Sequence, residues 1–388
     1  MAEKINVIHF HNGKTGGVWS VISNLLQYRS DPQIHYQLIF CIEKNQTVEI
    51  KPEDLPEDVR CDFFHYSSSD NFYYTCRRLS KLIPDQFTVL IAHDWLELGM
   101  ASHLGLPNPL IYYAHGDYEY YYGLGRKHKN VIDSCVTVSE SLAANMKAGV
   151  PELKAKTCCI YFPVPEAFPV TEKIKGSLVF VGRLSETKGY DILIRLAKKL
   201  SDVKSLSWHI VGEGDKTYVA ANKWPEDVQV LQYGLISNSR VRELLSKMEI
   251  LVLPSMREGM PNVVIEAMKA GAVPIVSDIE GGVQELIEDG FTGFLVSRED
   301  VDRFAKLIIR LQSGEERNLT GRNAKAKADS LFDPKKNAAL FEKHLMSISK
   351  IKPSPKPKIK VYGSRMDEQW IPNSVTRMLR KLGKISSQ

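Results

Sequence analysis

Short apolar runs and amphipathic stretches take turns along almost the whole chain. "INVIHF" (5–10) predicts a strand, and in the "GVWSVISNLLQ" that follows, Val18, Val21, Ile22, Leu25 and Leu26 recur at helical spacing. "YQLIFCI" (36–42), "RCDFFHY" (60–66), "FTVLIAH" (87–93), "PLIYYAH" (109–115) and "SCVTVS" (134–139) predict further strands, with helices between several of them. Three prolines interrupt the pattern in "CCIYFPVPEAFPV" (158–170). The alternation then restarts with "SLVFVG" (177–182), "SWHIVG" (207–212), "VQVLQYG" (228–234), "EILVLPS" (249–255) and "AVPIVSD" (272–278). Apolar strands separated by helices make a mostly parallel sheet covered on both faces. The expected fold is therefore α/β: two doubly wound Rossmann-like domains, 1–165 and 170–350, facing each other across a cleft. Residues 334–349 predict a helix closing the second domain. In the remaining 351–388, "KPSPKPK" (352–358) reads as an extended linker and "PNSVTRMLRKLG" (372–383) as a short basic helix.

A length of 388 residues suits two domains, and 43% hydrophobic with 25% charged residues is ordinary for a soluble enzyme. No apolar run approaches the ~18 residues that cross a bilayer. The opening "MAEKINVIHF" enters a strand without a signal-peptide profile, and six cysteines show no metal-ligand spacing, so a cytoplasmic protein with reduced thiols is expected. The net charge of +5 is unevenly placed: 351–388 hold nine Lys/Arg against two acidic residues, leaving the rest of the chain slightly acidic. A nucleic-acid partner asks for a basic stripe on the folded body and is not expected. For the tail three readings stand side by side: packing back on the first domain, contact with anionic lipid headgroups at the inner face of the membrane, or solvated disorder.

The unusual polar residues fall at predicted strand ends, where open parallel sheets bind ligands. "GKTGG" (13–17) follows the first strand, His93 ends another, and His115 a third. In the second half "GRLSETKG" (182–189), "GEGD" (212–215), Gly234 and "REGMP" (257–261) hold the equivalent places. The last of these opens "REGMPNVVIEAMKAG" (257–271), with Glu258 and Glu266 eight positions apart. Gly259 and Pro261 break any continuous helix; Asn262 is read as the N-cap and Val263 as the first helical residue. The helix start favours an anion and the flanking carboxylates accept from vicinal hydroxyls. Arg183 and Lys188 offer fixed positive charge to a diphosphate, and Gly16 and Gly17 let backbone N–H groups approach it. A nucleotide sugar satisfies all of these demands together. Each residue alone has an ordinary reading: a helix-dipole partner, an exposed loop charge, a tight turn, a strand-end histidine satisfying backbone. "DVD" (300–302) precedes an amphipathic stretch and is read as a helix cap, not a metal site. The tyrosines of "YEYYYG" (118–123) divide evenly between packing and stacking on a sugar.

"EGMPNVVIEAMKAGAVPIVSD" and "FVGRLSETKG" resemble the Glu-x7-Glu motif and the Arg…Lys clamp of retaining family 4 glycosyltransferases of the GT-B fold, and "GEGD", "LQYGLIS" and "GGVQELI" fall in that family's order. The resemblance implies a retaining, metal-independent hexosyl or related transferase that moves a sugar from a nucleotide-diphosphate sugar to a saccharide or lipid-linked hydroxyl in surface polysaccharide synthesis, with no other cofactor. It implies Arg183, Lys188, Glu258 and His115 as catalytic, with Glu258 on the donor sugar and Glu266 on the ribose. Gly16, Gly17, Gly212, Gly234, Gly259, Met260, Pro261, Asn262 and Val263 complete the donor-binding set. Competing readings are a nucleotide-sugar epimerase and a non-catalytic nucleotide-sugar-binding subunit. A nicotinamide dehydrogenase fits less well, since the first loop lacks G-x-G-x-x-G and no acidic residue ends the second strand before Glu43.

Overall fold

The computed structural model describes residues 4–51, 55–169 and 172–385. It divides into two units, one built from residues 1–162 together with 335–388 and the other from 163–334.

The first unit holds seven strands: β1 (Ile5–His11), β2 (Ile34–Glu43), β3 (Arg60–Tyr66), β4 (Thr88–Ala92), β5 (Leu110–Ala114), β6 (Ser134–Thr137) and β7 (Thr157–Cys159). They form one sheet in the order β3-β2-β1-β4-β5-β6-β7, parallel throughout. The central strands are buried on both faces, which is why their sequences run apolar instead of alternating. The strand order reverses between β1 and β4, so the carboxyl ends of those two strands mark the place where a doubly wound sheet binds ligands.

The second unit repeats the plan with β8 (Ser177–Val181), β9 (Ser207–Val211), β10 (Gln229–Gly234), β11 (Ile250–Leu253), β12 (Val273–Ser277) and β13 (Phe294–Val296) in the order β10-β9-β8-β11-β12-β13. Its switch point lies between β8 and β11. The two three-residue strands β7 and β13 were not anticipated, because three residues are too few to show a period.

The division of the chain departs from the expected boundaries at the C-terminal end. The helix Pro334–Ile348, expected to close the second domain, packs on the first unit. Its Phe341 and Leu345 are buried there, and Glu342 accepts hydrogen bonds from the Ser30 amide (2.9 Å) and hydroxyl (2.9 Å). The tail beyond it is no loose linker. Lys356 donates to the carbonyls of Asn108 and Val131 (2.8 Å each) and pairs with Asp133. The Tyr362 ring meets Trp95, Phe72 and His128 with centroids 5.3–5.8 Å apart. Buried Asp367 accepts from the Phe72 amide (2.6 Å) and pairs with Arg380, while Arg377 pairs with Asp70 (2.6 Å). Among the described residues, Lys356, Arg377 and Arg380 of the tail thus hold it to the rest of the first unit.

Candidate functional site

At the carboxyl edge of the second sheet, backbone bonds stitch the loops into one ledge. Gly182 N–H donates to Val211 (3.0 Å), Leu184 to Glu213 (2.9 Å), Gly212 to Gly234 (2.9 Å) and Met256 to Thr187 (2.9 Å). Gly212 is indispensable to this close approach: at φ +128° a Cβ there would lie 2.0 Å from the Gly182 carbonyl. Gly212 and Gly234 are therefore backbone joints of the ledge on which the charged side chains stand.

Those side chains come from the loops after β8 and β11. Lys188 Nζ donates to both oxygens of Glu258, at 2.7 and 2.8 Å, and the Ser255 hydroxyl donates to Glu258 Oε1 at 2.6 Å. Sequence reasoning had assigned Lys188 and Glu258 to separate parts of a ligand; the fold joins them directly. Arg183 is exposed, and among the described residues its guanidinium has no hydrogen-bond or ion-pair partner. Met260 and Pro261 are buried and anchor the turn. The helix is Asn262–Lys269, with Pro261 at its cap position and no side-chain capping bond, so Asn262 is the first helical residue and not the cap. Pro261, which lacks an N–H, fits a position where a donor would go unused. Asn262 and Val263 are partly exposed at the helix start.

Glu266 lies just over one turn into this helix and is half-buried. Its carboxylate has no hydrogen-bond or ion-pair partner among the described residues, and burial pushes its pKa up to about 7, against a weaker pull downward from Arg242. An unpartnered, partly buried carboxylate beside a helix start is an acceptor for hydroxyl donors.

In the first unit the glycine loop follows β1. Thr15 donates to Glu49 through its amide (2.9 Å) and hydroxyl (2.6 Å), and Glu49 N–H returns to Gly13 O at 2.8 Å. This carboxylate shapes the loop while occupying its Thr15 donors. Gly16 has φ +142° and Gly17 begins the helix Gly17–Tyr28. A Cβ on either would meet no atom within 4 Å. For Gly17, neither close packing nor a positive φ requires the glycine.

His115, directly after β5, is one end of a chain of imidazoles. Its Nε2 meets His93 Nδ1 at 2.7 Å, and His93 Nε2 meets His9 Nδ1 at 2.9 Å. Burial pushes His9 and His115 down to about 3 and His93 well below its usual value, with neighbouring imidazoles adding to each. His9 was not picked out by sequence reasoning, and His93 only as a strand-end histidine; histidines near the carboxyl end of β1 and directly after β4 and β5 were the available signal. The tyrosines divide: Tyr121 is buried and Tyr122 hydrogen-bonds Asp117, whereas Tyr118 and Tyr120 are exposed, Tyr120 reaching Asp94. Asp300 caps the helix Val301–Arg310 by accepting from Arg303 N–H (2.9 Å), and Asp302 pairs with Lys199 (2.7 Å).

Comparison with known proteins places this geometry. Residues 167–327 match the model of the family "Glycosyl transferases group 1". The amylovoran biosynthesis glycosyltransferase AmsK of Erwinia amylovora is 30% identical over 150 residues, 36% of each chain. The UDP-Gal:alpha-D-GlcNAc-diphosphoundecaprenol alpha-1,3-galactosyltransferase of Escherichia coli is 30% identical over 173 residues, 42% of this chain and 44% of that one. The alignments thus span less than half the length of these curated relatives. Among solved structures, Anabaena Alr3699/HepE in complex with UDP and glucose matches with a TM-score of 0.72 at 17% identity, covering 88% of this chain and 99% of that one. The fold is GT-B.

Proposed function

From a group 1 glycosyl transferase segment at residues 167–327 on a GT-B fold, we propose that the protein transfers a hexose or related sugar from a nucleoside-diphosphate sugar to a hydroxyl of a saccharide or lipid-linked acceptor, with retention, in surface polysaccharide assembly. The observation that carries this is the switch-point ledge of the second unit: the Lys188–Glu258 pair on one edge with Arg183 and Glu266, whose side chains have no hydrogen-bond or ion-pair partner among the described residues. A diphosphate draws Arg183 and Lys188 together, and their charge offsets what builds on the leaving oxygen as its bond to the sugar C1 breaks. Glu258, already fixed by Ser255 and Lys188, accepts from sugar hydroxyls; Glu266 accepts from the ribose. The backbone of Gly259, Met260, Pro261, Asn262 and Val263 borders the phosphates at the helix start. Gly212 and Gly234 support the ledge beside the base; Gly16, Gly17 and His115 are the candidate residues of the first unit.

The acceptor oxygen forms its bond to C1 on the face the diphosphate leaves, and its proton passes to the departing phosphate oxygen. Neither a covalent carboxylate intermediate nor a metal is needed; chelator should leave turnover unchanged. UDP bound to HepE and the UDP-galactose donor of the E. coli relative support a uridine nucleotide. We assign the reaction to the cytoplasmic side, by likeness to the E. coli relative whose name specifies a diphosphoundecaprenol acceptor; among the described residues no helix is long and apolar enough to cross a membrane. Contact with anionic membrane would fall to the outer face of the helix Asn373–Ile385, where Met378, Leu379 and Leu382 are exposed near Trp370 and Lys381.

A thermal-shift panel of UDP, GDP and ADP tests the site. One diphosphate should raise the melting temperature, with the rise reduced in Glu266→Ala; no rise with any of them would remove the nucleotide-sugar reading. Release of nucleoside diphosphate only when acceptor is present would separate a transferase from an epimerase.

A further inference from the structure

Adjacent parallel strands with linked histidines near their carboxyl ends have an arithmetic consequence. β1, β4 and β5 are neighbours in the first sheet, and they carry His9, His93 and His115 in the same succession. The rings meet through Nδ1···Nε2 contacts of 2.9 and 2.7 Å. A neutral imidazole has one N–H and one lone-pair nitrogen. Three neutral rings in such a chain therefore bring three protons to two links, and the third proton must sit at one end: on His9 Nε2 or on His115 Nδ1. The rings cannot choose independently, because reversing one link reverses the other.

The two ends differ. His9 Nε2 is buried and has no hydrogen-bond partner among the described residues. A buried N–H without an acceptor is rarer and more costly than a buried lone pair without a donor. His115 is only partly buried, and its Nδ1 has no protein partner among the described residues. Aromatic neighbours fix the rings in place: Tyr36 and Phe341 against His9, and Tyr113 stacked on both His93 and His115, the latter at 4.8 Å. We infer that His9 and His93 are positioning residues that hold His115 in the tautomer with its proton on Nδ1, so that this strand end presents a fixed hydrogen-bond donor to a substrate oxygen. Burial keeps all three rings neutral, with His11, itself pushed down to about 4, nearby. The role for a substrate oxygen rests on the glycosyltransferase reading; the tautomer does not.

Long-range 1H–15N correlation spectra of the full-length 15N-labelled chain distinguish the two ring tautomers. The wild type should show His9, His93 and His115 all protonated on Nδ1 at pH 7. His93→Leu and His9→Leu should each release His115 to a mixture, whereas His9→Asn, whose amide nitrogen stands near the place of Nδ1, should restore the single form. Turnover of the two leucine variants should fall about tenfold, the worth of one well-placed hydrogen bond, and return in His9→Asn. His115 protonated on Nε2 in the wild type would overturn the inference, as would an unchanged His115 signal in a folded His93→Leu. If a leucine variant fails to fold, the wild-type spectrum alone decides. A wild type with the predicted tautomer but no nucleotide-sugar turnover would sink the proposed function and leave the relay standing.

Discussion

The two units share a strand order and differ in how their candidate polar groups are held. In the second, which buries Lys269 and Glu249 elsewhere, Arg183, Lys188 and Glu258 stand on loops beyond the strands, on a ledge held by backbone bonds that do not involve their side chains. In the first, polar groups are buried within the architecture: three linked imidazoles, Glu342 clamped on Ser30, and Asp367 beneath the C-terminal tail. Removing the Arg183 side chain from the ledge leaves no buried group without its partner, so the cost falls on chemistry, whereas removing Lys188 leaves the mostly buried Glu258 carboxylate held by Ser255 alone. In the first unit the same operation strands a donor or acceptor in the interior, so the cost falls on folding.

That contrast is easiest to break by exchanging the expected penalties. Arg183→Ala and Lys188→Ala should each lower turnover by about 10²–10³-fold, the size seen when one preorganised donor to a developing negative charge is lost, with a melting temperature near that of the wild type. Lys188→Ala should have the larger side effect, because it also frees Glu258. Near-normal turnover in both would dissolve the clamp; a collapse in melting temperature would show that the ledge is structural after all. Asp367→Ala should do the reverse. It removes the acceptor of the Phe72 amide and the partner of Arg380 at a site only 1% exposed, and should cost about 2–4 kcal/mol of stability in a denaturant titration. A loss below about 1 kcal/mol would mean that the tail is an ornament of the first unit and not part of it.

The same contrast explains what could be read from the chain. Arg183, Lys188, Glu258 and Glu266 lie within two short segments, and their loops follow apolar strands, so spacing alone suggested one edge. The ion pair between Lys188 and Glu258 was not visible, because 70 residues separate them and only the adjacency of β8 and β11 brings them together. His9, His93 and His115 are spread over 106 positions, and their chain exists only because the sheet order sets β1, β4 and β5 side by side. The Asn262 cap was missed by one residue, since Pro261 takes that position without offering a side-chain bond. For the tail, packing back on the first domain was one of the readings made from the sequence; what "KPSPKPK" did not show was that Lys356 pairs with Asp133 and that this segment packs along the Ser102–Pro107 region through backbone bonds.

Glu266 is the exception that sharpens the comparison, a second-unit group whose environment resembles the first unit's. Its carboxyl is raised from the ordinary 4.5 to about 7 by burial. Between those values the folded state holds a proton that the unfolded chain has released, so stability is greatest at low pH in this window and falls as pH rises through it, levelling above about 7. The group is only half-buried, and screening by solvent cuts the effect to about 1 kcal/mol, a shift of a few degrees at most. Glu97 in the first unit is also raised to about 7 by burial and adds a slope of its own, so the quantity to measure is the difference between wild type and Glu266→Gln across pH 5 to 8. The wild type should lose more stability over that interval than the variant, and a saturating nucleoside diphosphate should flatten the difference by giving the carboxylate hydroxyl donors that favour its charged form. Equal slopes would mean that Glu266 titrates like a surface carboxylate, and the ledge would then be wholly open to solvent, with nothing buried in it for a ribose to satisfy.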